Sequence, residues 1–148
     1  MPKSTTSLVF PDINVWLALS YERHIHHPAA NRWFHGLADD AHPCFCRFTQ
    51  LGLLRLLTTD AVMGTDGALT QLGAWDVFDT CIGDGRTLFL EEPPTIESRF
   101  RHLTQEKRPS PKDWGDSYLA AFAAESGLTL VTFDQALQRK SIGALLLT

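Results

Sequence analysis

The chain is short of several features that would mark other kinds of protein. Cysteine is scarce, with Cys44, Cys46 and Cys81 the only three in 148 residues. An odd count this low excludes a disulfide framework and suits a reducing cytosol. The C-x-C pair lacks a second Cys or His pair at zinc-ligand spacing, so both thiols read as reduced, part-buried groups on one face of a strand. No apolar run approaches the ~20 residues of a membrane span. The opening MPKSTTS leads straight into a strand without a signal-peptide pattern. Positive charge is in deficit, the formal net charge being −4, which does not suit a general nucleic-acid binder. Neither G-x-x-x-x-G-K-[ST] nor G-x-G-x-x-G occurs, so a glycine-rich nucleotide site has no support. Repeats, low-complexity stretches and linkers are absent too, and one domain over 1–148 is expected.

Hydrophobic residues, in contrast, make up 44% of the chain, with four Trp and nine Phe. That is enough to build a core without disulfide or metal staples. Their spacing predicts strands at 7–10, 43–48, 87–90, 128–132 and 143–147. Helices are predicted at 13–21, 28–37, 50–57, 66–81, 95–103, 111–126 and 135–139. Val15, Trp16 and Leu19 form one inward stripe, Leu51, Leu54 and Leu57 a second, and Leu69, Leu72, Trp75 and Phe78 a third. The segment 111–126 has the strongest punctuation, with Pro111 at its start, Asp113 and Asp116 near its positive end and Gly127 after it. This alternation predicts a three-layer α/β/α domain around a mostly parallel sheet.

In such a fold the carboxyl ends of the strands share one edge. Asp12, Gln50, Asp116 and Asp134 all fall at predicted strand ends or helix starts. Carboxylates gathered there repel one another unless a cation holds them, which points to a divalent-metal site and phosphodiester hydrolysis. Each aspartate also has a plainer reading. Asp12 and Asp134 are good helix N-caps, and one of Asp113 and Asp116 is expected to be a surface acid favoured by the helix dipole. Asp116 is chosen as the functional one because it borders the apolar stretch DSYLAAFA. Asn14 either caps the helix or reaches a water, and Thr132 stands beside Asp134 as a hydrogen-bonding neighbour. The segment RFRHLTQEKRPSPK carries Arg99, Arg101, Lys107, Arg108 and Lys112 against the single acid Glu106. It reads either as a phosphate-holding rim, with Lys107, Arg108 and Lys112 as RNA-contact candidates, or as a solvated surface. His24, His26 and His27 lack a partner at ligand spacing and read as loop residues.

The blocks PDINVWLAL, TQLGLLRLLT and DWGDSYLAAFAAESGLTLVTFD, in that order, resemble the PIN-domain ribonucleases, and most of all the VapC toxins of bacterial toxin–antitoxin pairs. The resemblance runs from Leu8 to the final strand and implies a PIN-type α/β/α fold. It implies a magnesium- or manganese-dependent endoribonuclease, with Asp12, Asp116 and Asp134 as catalytic acids and metal ligands. Asp134 would orient a water on the cation or complete its shell. Asn14, Gln50 and Thr132 would support waters or substrate. A VapB-type antitoxin, a homodimer and a cytoplasmic, membrane-free life are implied as well. The family's T-E-L motif reads Thr49-Gln50-Leu51 here, which removes one negative charge from the site. That departure keeps open a second possibility, a catalytically weak or silent PIN fold that binds RNA or a protein.

Overall fold

The computed structural model describes residues 7–148; the part of the opening segment before Ser7 lies outside the described residues. Strands and helices alternate as β1 (Ser7–Pro11), α1 (Ile13–Ser20), α2 (His27–His35), β2 (Ala41–Phe45), α3 (Arg47–Leu57), α4 (Asp60–Met63) and α5 (Gln71–Gly83). They continue as β3 (Leu88–Phe89), α6 (Ile96–Leu103), α7 (Pro111–Ser126), β4 (Thr129–Thr132), α8 (Gln135–Lys140) and β5 (Leu145–Leu146). Among the described residues the strands form one sheet in the order β3-β2-β1-β4-β5, and every pairing is parallel.

The sheet is covered on both faces, as a parallel sheet requires. On one side Phe10, Cys44 and Leu130 pack with Ile96 of α6, Leu119 and Phe122 of α7 and Leu137 of α8. On the other, Phe45 packs with Trp16 and Leu17 of α1, Leu53 and Leu57 of α3 and Phe78 of α5. Cys44 and Phe45 are consecutive and therefore point to opposite layers. Stacked rings mark both layers, Phe10 on Phe122 at 5.1 Å between centroids and Trp16 on Phe45 at 3.9 Å. Fully burying a side chain of this size is worth about 1.5–3 kcal/mol, so the sheet edge is fixed from both sides.

Several predicted elements shift. The second strand ends at Phe45 rather than residue 48, because Cys46 turns the chain and closes a cap with Thr49, whose Oγ1 accepts from the Cys46 N–H at 3.0 Å. Cys46 therefore stands at a helix cap rather than in a strand, although both thiols are buried. Helix α3 accordingly starts three residues earlier than predicted. It buries Thr49, Gln50, Leu53 and Leu57, whereas Leu51 is 55% exposed. The predicted helix over 66–81 is shorter at its start: α5 begins after Thr70, whose hydroxyl accepts from the Gly73 N–H at 3.0 Å. Ala74 and Phe78 form its inward face, while Leu72 is 78% and Trp75 44% exposed. Helix α4 was not predicted.

The topology locates a crevice. From β1 the chain builds outward through β2 and β3, then returns to place β4 and β5 on the opposite side of β1. The order reverses between β1 and β4, and at such a switch point the following loops part and leave a cleft outside the strand ends. Asp12 follows β1 and Asp134 follows β4.

Candidate catalytic edge

Asp12 is fixed by the backbone that carries it. Its N–H donates to the Val131 carbonyl at 2.9 Å, continuing the β1–β4 ladder past the end of β1. The chain then turns into α1, and Oδ1 of Asp12 accepts from the Val15 N–H at 3.0 Å as an N-cap. Its other oxygen, Oδ2, accepts from the Thr132 hydroxyl at 2.5 Å. Thr132 in turn accepts from the Asp134 N–H at 2.9 Å. Asp134 caps α8, with Oδ1 accepting from Ala136 and Leu137 N–H at 2.8 and 3.2 Å, and turns Oδ2 toward Lys112 Nζ at 2.8 Å. Lys112 also approaches Asp116 Oδ2 at 4.0 Å. A continuous path thus joins Asp12, Thr132, Asp134, Lys112 and Asp116 across the switch point. The N-cap reading holds for Asp12 and Asp134, and it leaves one oxygen of each for other work.

Environment sets the charge state of these acids. Burial raises the Asp12 pKa from 3.8 to about 6, opposed by the Thr132 and Val15 hydrogen bonds and aided by the charge of Asp134. Asp116 is also raised, chiefly by burial, with Lys112 opposing and Asp134 adding. Asp134 is lowered, chiefly by its hydrogen bond from Lys112. Asp134 therefore raises both of the other acids, which is the signature of carboxylates sharing one region. Among the described residues no group of three or more His, Cys, Asp or Glu side chains is already arranged to hold a metal ion. The chemistry of the donors nonetheless suits a hard divalent cation: all are oxygens, one carboxylate is buried, and the ammonium of Lys112 already stands between two others as a cation.

The remaining candidates divide. Gln50 is buried at 6% exposure on the first turn of α3. Gly52 on the same helix lies so close to α1 that an added Cβ would meet Ile13 at 2.2 Å. Helix α3 is thereby pressed against the residue after Asp12. Asn14 is exposed on the first turn of α1, and its backbone N–H, rather than its side chain, helps to hold the Asp12 charge. Lys107 and Arg108 lie in the exposed stretch 105–110. The rest of the basic segment is already engaged: Arg99 pairs with Glu125, Arg101 with Glu97, and Lys112 with Asp134. Asp113 is not the exposed acid expected of one member of its pair. Its side chain is 14% exposed, it accepts from Ser117 Oγ at 3.1 Å, and it pairs with Lys140 from α8. The helical turn between 113 and 116 aims one acid at the end of α8 and the other at the edge.

Two features at this edge escape the sequence reading. Arg47 donates from Nη1 to Gln50 Oε1 at 2.5 Å, with its guanidinium 4.8 Å from the centre of the Phe89 ring. The i, i+3 spacing of Arg47 and Gln50 was the signal available for it. His26 stacks on Phe133 at 4.3 Å between centroids, which ties the α1–α2 loop to the residue between Thr132 and Asp134. No spacing rule announces that contact, because it joins residues more than a hundred positions apart.

Residues 9–143 match the PIN domain family model, and the chain belongs to the PIN-domain family. It is 41% identical over 128 residues to ribonuclease VapC41 of Mycobacterium tuberculosis, covering 84% of this chain and 88% of that protein. It is 31% identical over 133 residues to ribonuclease VapC39 of the same species, covering 85% and 88%. Among solved structures, VapBC2 of Rickettsia felis, bound to a DNA fragment from its promoter, matches with a TM-score of 0.67 at 12% identity, over 94% of this chain and 96% of the other. Mycobacterium tuberculosis VapC20, described as a sarcin–ricin-loop-cleaving toxin, matches with a TM-score of 0.64 at 12% identity, over 90% and 94%. At such identities the two structures establish the shared fold alone.

Proposed function

We propose that the protein is a magnesium- or manganese-dependent endoribonuclease of the VapC kind, held in check by a VapB-type antitoxin. The observation that carries this reading is the path Asp12–Thr132–Asp134–Lys112–Asp116 at the switch point. The ribonuclease names of relatives 41% and 31% identical over most of the chain support it.

Asp12, Asp116 and Asp134 would hold the cation, with Lys112 released toward solvent, where most of its side chain already lies. A cation held there would supply Lewis-acid chemistry to the scissile phosphate and offset the charge that builds during displacement. Asp12, with its raised pKa, is ionised at neutral pH only at an energetic cost that a cation removes. Thr132 orients Asp12 by donating to Oδ2 and fixes the turn to Asp134 by accepting its N–H. Asp134, kept anionic by its neighbours, is suited to orient the attacking water. Asn14 and Gln50 would support waters or substrate by hydrogen bonds. Lys107, Arg108 and a released Lys112 would meet the RNA backbone.

The reading includes a homodimer and a cytoplasmic setting. Leu51, Leu72 and Trp75 on α3 and α5 are exposed apolar surface of the kind protein contacts cover. The unbridged cysteines suit a reducing compartment, and no helix among the described residues is long and apolar enough to cross a membrane. Cleavage of bulk RNA with magnesium, with manganese and with EDTA tests the activity. EDTA-sensitive cleavage by the wild type that is absent from Asp12→Asn supports it. RNA binding without cleavage would favour the silent-fold alternative that Gln50 keeps open.

A further inference from the structure

The position where the family resemblance implies a glutamate holds more than a neutral substitute. Gln50 sits on the inward face of α3, and its side-chain carbonyl is taken up by Arg47 at 2.5 Å. The Phe89 ring supports the guanidinium from β3 at 4.8 Å. These groups leave adjacent strands at their carboxyl ends: Phe89 ends β3, Arg47 follows β2, and Asp12 follows β1. Neighbouring strands are about 4.8 Å apart. The guanidinium and the Asp12 carboxylate therefore follow neighbouring strands along the same edge of the sheet. Helix α3 runs down against α1 there, with Gly52 allowing the approach to Ile13.

Arg47 is exposed, yet its head group is held by an amide and an aromatic face rather than by an acid. Glu92, just after β3, is engaged instead by the Tyr118 hydroxyl at 2.6 Å. An amide carbonyl orients a guanidinium without neutralising it. The remaining N–H groups keep their full charge and their fork geometry, which matches phosphate oxygens. A glutamate at position 50 would instead form an ion pair with Arg47 and cancel that charge. The glutamine is thus the residue that keeps the arginine available.

We infer that Arg47 is a phosphate-binding residue for the RNA strand, presented by Gln50 and Phe89 at the β2–β3 end of the catalytic edge. It would grip the strand on the side of the carboxylates opposite Lys107, Arg108 and Lys112. This rests on the ribonuclease reading, because only an extended polyanion would span both ends of the edge.

The test is binding of a mixed-sequence single-stranded RNA oligonucleotide against salt, in calcium, with intact RNA verified on a gel. Wild type, Arg47→Ala, Arg47→Lys and Gln50→Ala are compared, and manganese binding to each protein is measured without RNA. Arg47→Ala should weaken RNA binding several-fold and lower the log–log salt slope by about 0.7, the value for one phosphate contact on a single strand. Arg47→Lys should keep the slope while losing part of the affinity, and it carries the test should Arg47→Ala prove unstable. Gln50→Ala should weaken binding less than Arg47→Ala, and manganese affinity should stay the same throughout. An unchanged slope in Arg47→Ala, or a change in manganese affinity alone, overturns the inference while leaving the ribonuclease reading intact. A wild type that neither binds nor cleaves RNA overturns that reading, and the inference with it.

Discussion

Asp12→Asn should make the metal-free protein more stable while abolishing its activity. The wild-type carboxylate is 5% exposed, and burial lifts its pKa from 3.8 to about 6. The sign follows from linkage. A carboxyl group whose pKa is raised on folding binds protons more tightly in the native state, so it favours folding below about 3.8 and loses that contribution as pH rises through about 6. At neutral pH the charge therefore costs the native state about 3 kcal/mol, at about 1.36 kcal/mol per pH unit of displacement.

Asparagine keeps the helix cap, since both residues serve equally well there. It loses the acceptor for the Thr132 hydroxyl, a cost of about 1 kcal/mol. The net expectation is a gain of about 2 kcal/mol for Asp12→Asn. Urea unfolding in EDTA at neutral pH reads it directly, and by pH about 5 the wild type should have recovered about half of the carboxylate's cost. Adding magnesium should raise the wild-type midpoint by mass action and leave that of Asp12→Asn almost unmoved. A variant no more stable than wild type in EDTA, or midpoints that magnesium raises equally, would refute the reasoning.

Four further outcomes are expected. Asp116→Asn should abolish cleavage with little effect on stability. Asp113→Asn should retain activity but lose about 1–2 kcal/mol in urea unfolding, because it leaves the Lys140 ammonium with the Ser117 hydroxyl but without its counter-charge in a site where both side chains are largely covered. Replacing Lys107 and Arg108 together by alanine should lower the RNA salt slope by about 1.4, two single-strand phosphate contacts, with unfolding midpoints unchanged; an unaltered slope would return them to ordinary surface residues. Gln50→Glu should leave magnesium affinity nearly constant and weaken RNA binding, since the introduced carboxylate would pair with Arg47; calorimetry showing markedly tighter magnesium binding would contradict that arrangement.

The layered fold was legible because the strands are apolar runs separated by helical periods, and Pro111 and Gly127 mark the bounds of α7. What was missed lies where capping overrides periodicity. Cys46 and Thr49 start α3 early, which turns Gln50 inward and Leu51 outward, and Thr70 delays α5 relative to the apolar pattern. At the site, Asp12, Thr132 and Asp134 could be placed together from the sequence because parallel strands share an edge. Their linkage through one threonine hydroxyl could not, since it depends on side-chain rotation across 120 positions. Asp116 lies near Lys112 at the edge, whereas Asp113 pairs with Lys140 of α8. Bordering the apolar stretch does not by itself separate the two, because Asp113 is slightly the more buried. The basic segment was overcounted, since composition does not reveal that Arg99 and Arg101 are already paired with acids.

The central claim is tested most directly by producing the protein alone in a bacterial cell and sequencing the RNA 5′ ends that appear, with Asp12→Asn as the control. The account predicts discrete new ends within minutes of induction, absent from the Asp12→Asn culture and suppressed when a cognate antitoxin is co-expressed. The same ends in both cultures, or none in either while folded protein accumulates, would contradict it.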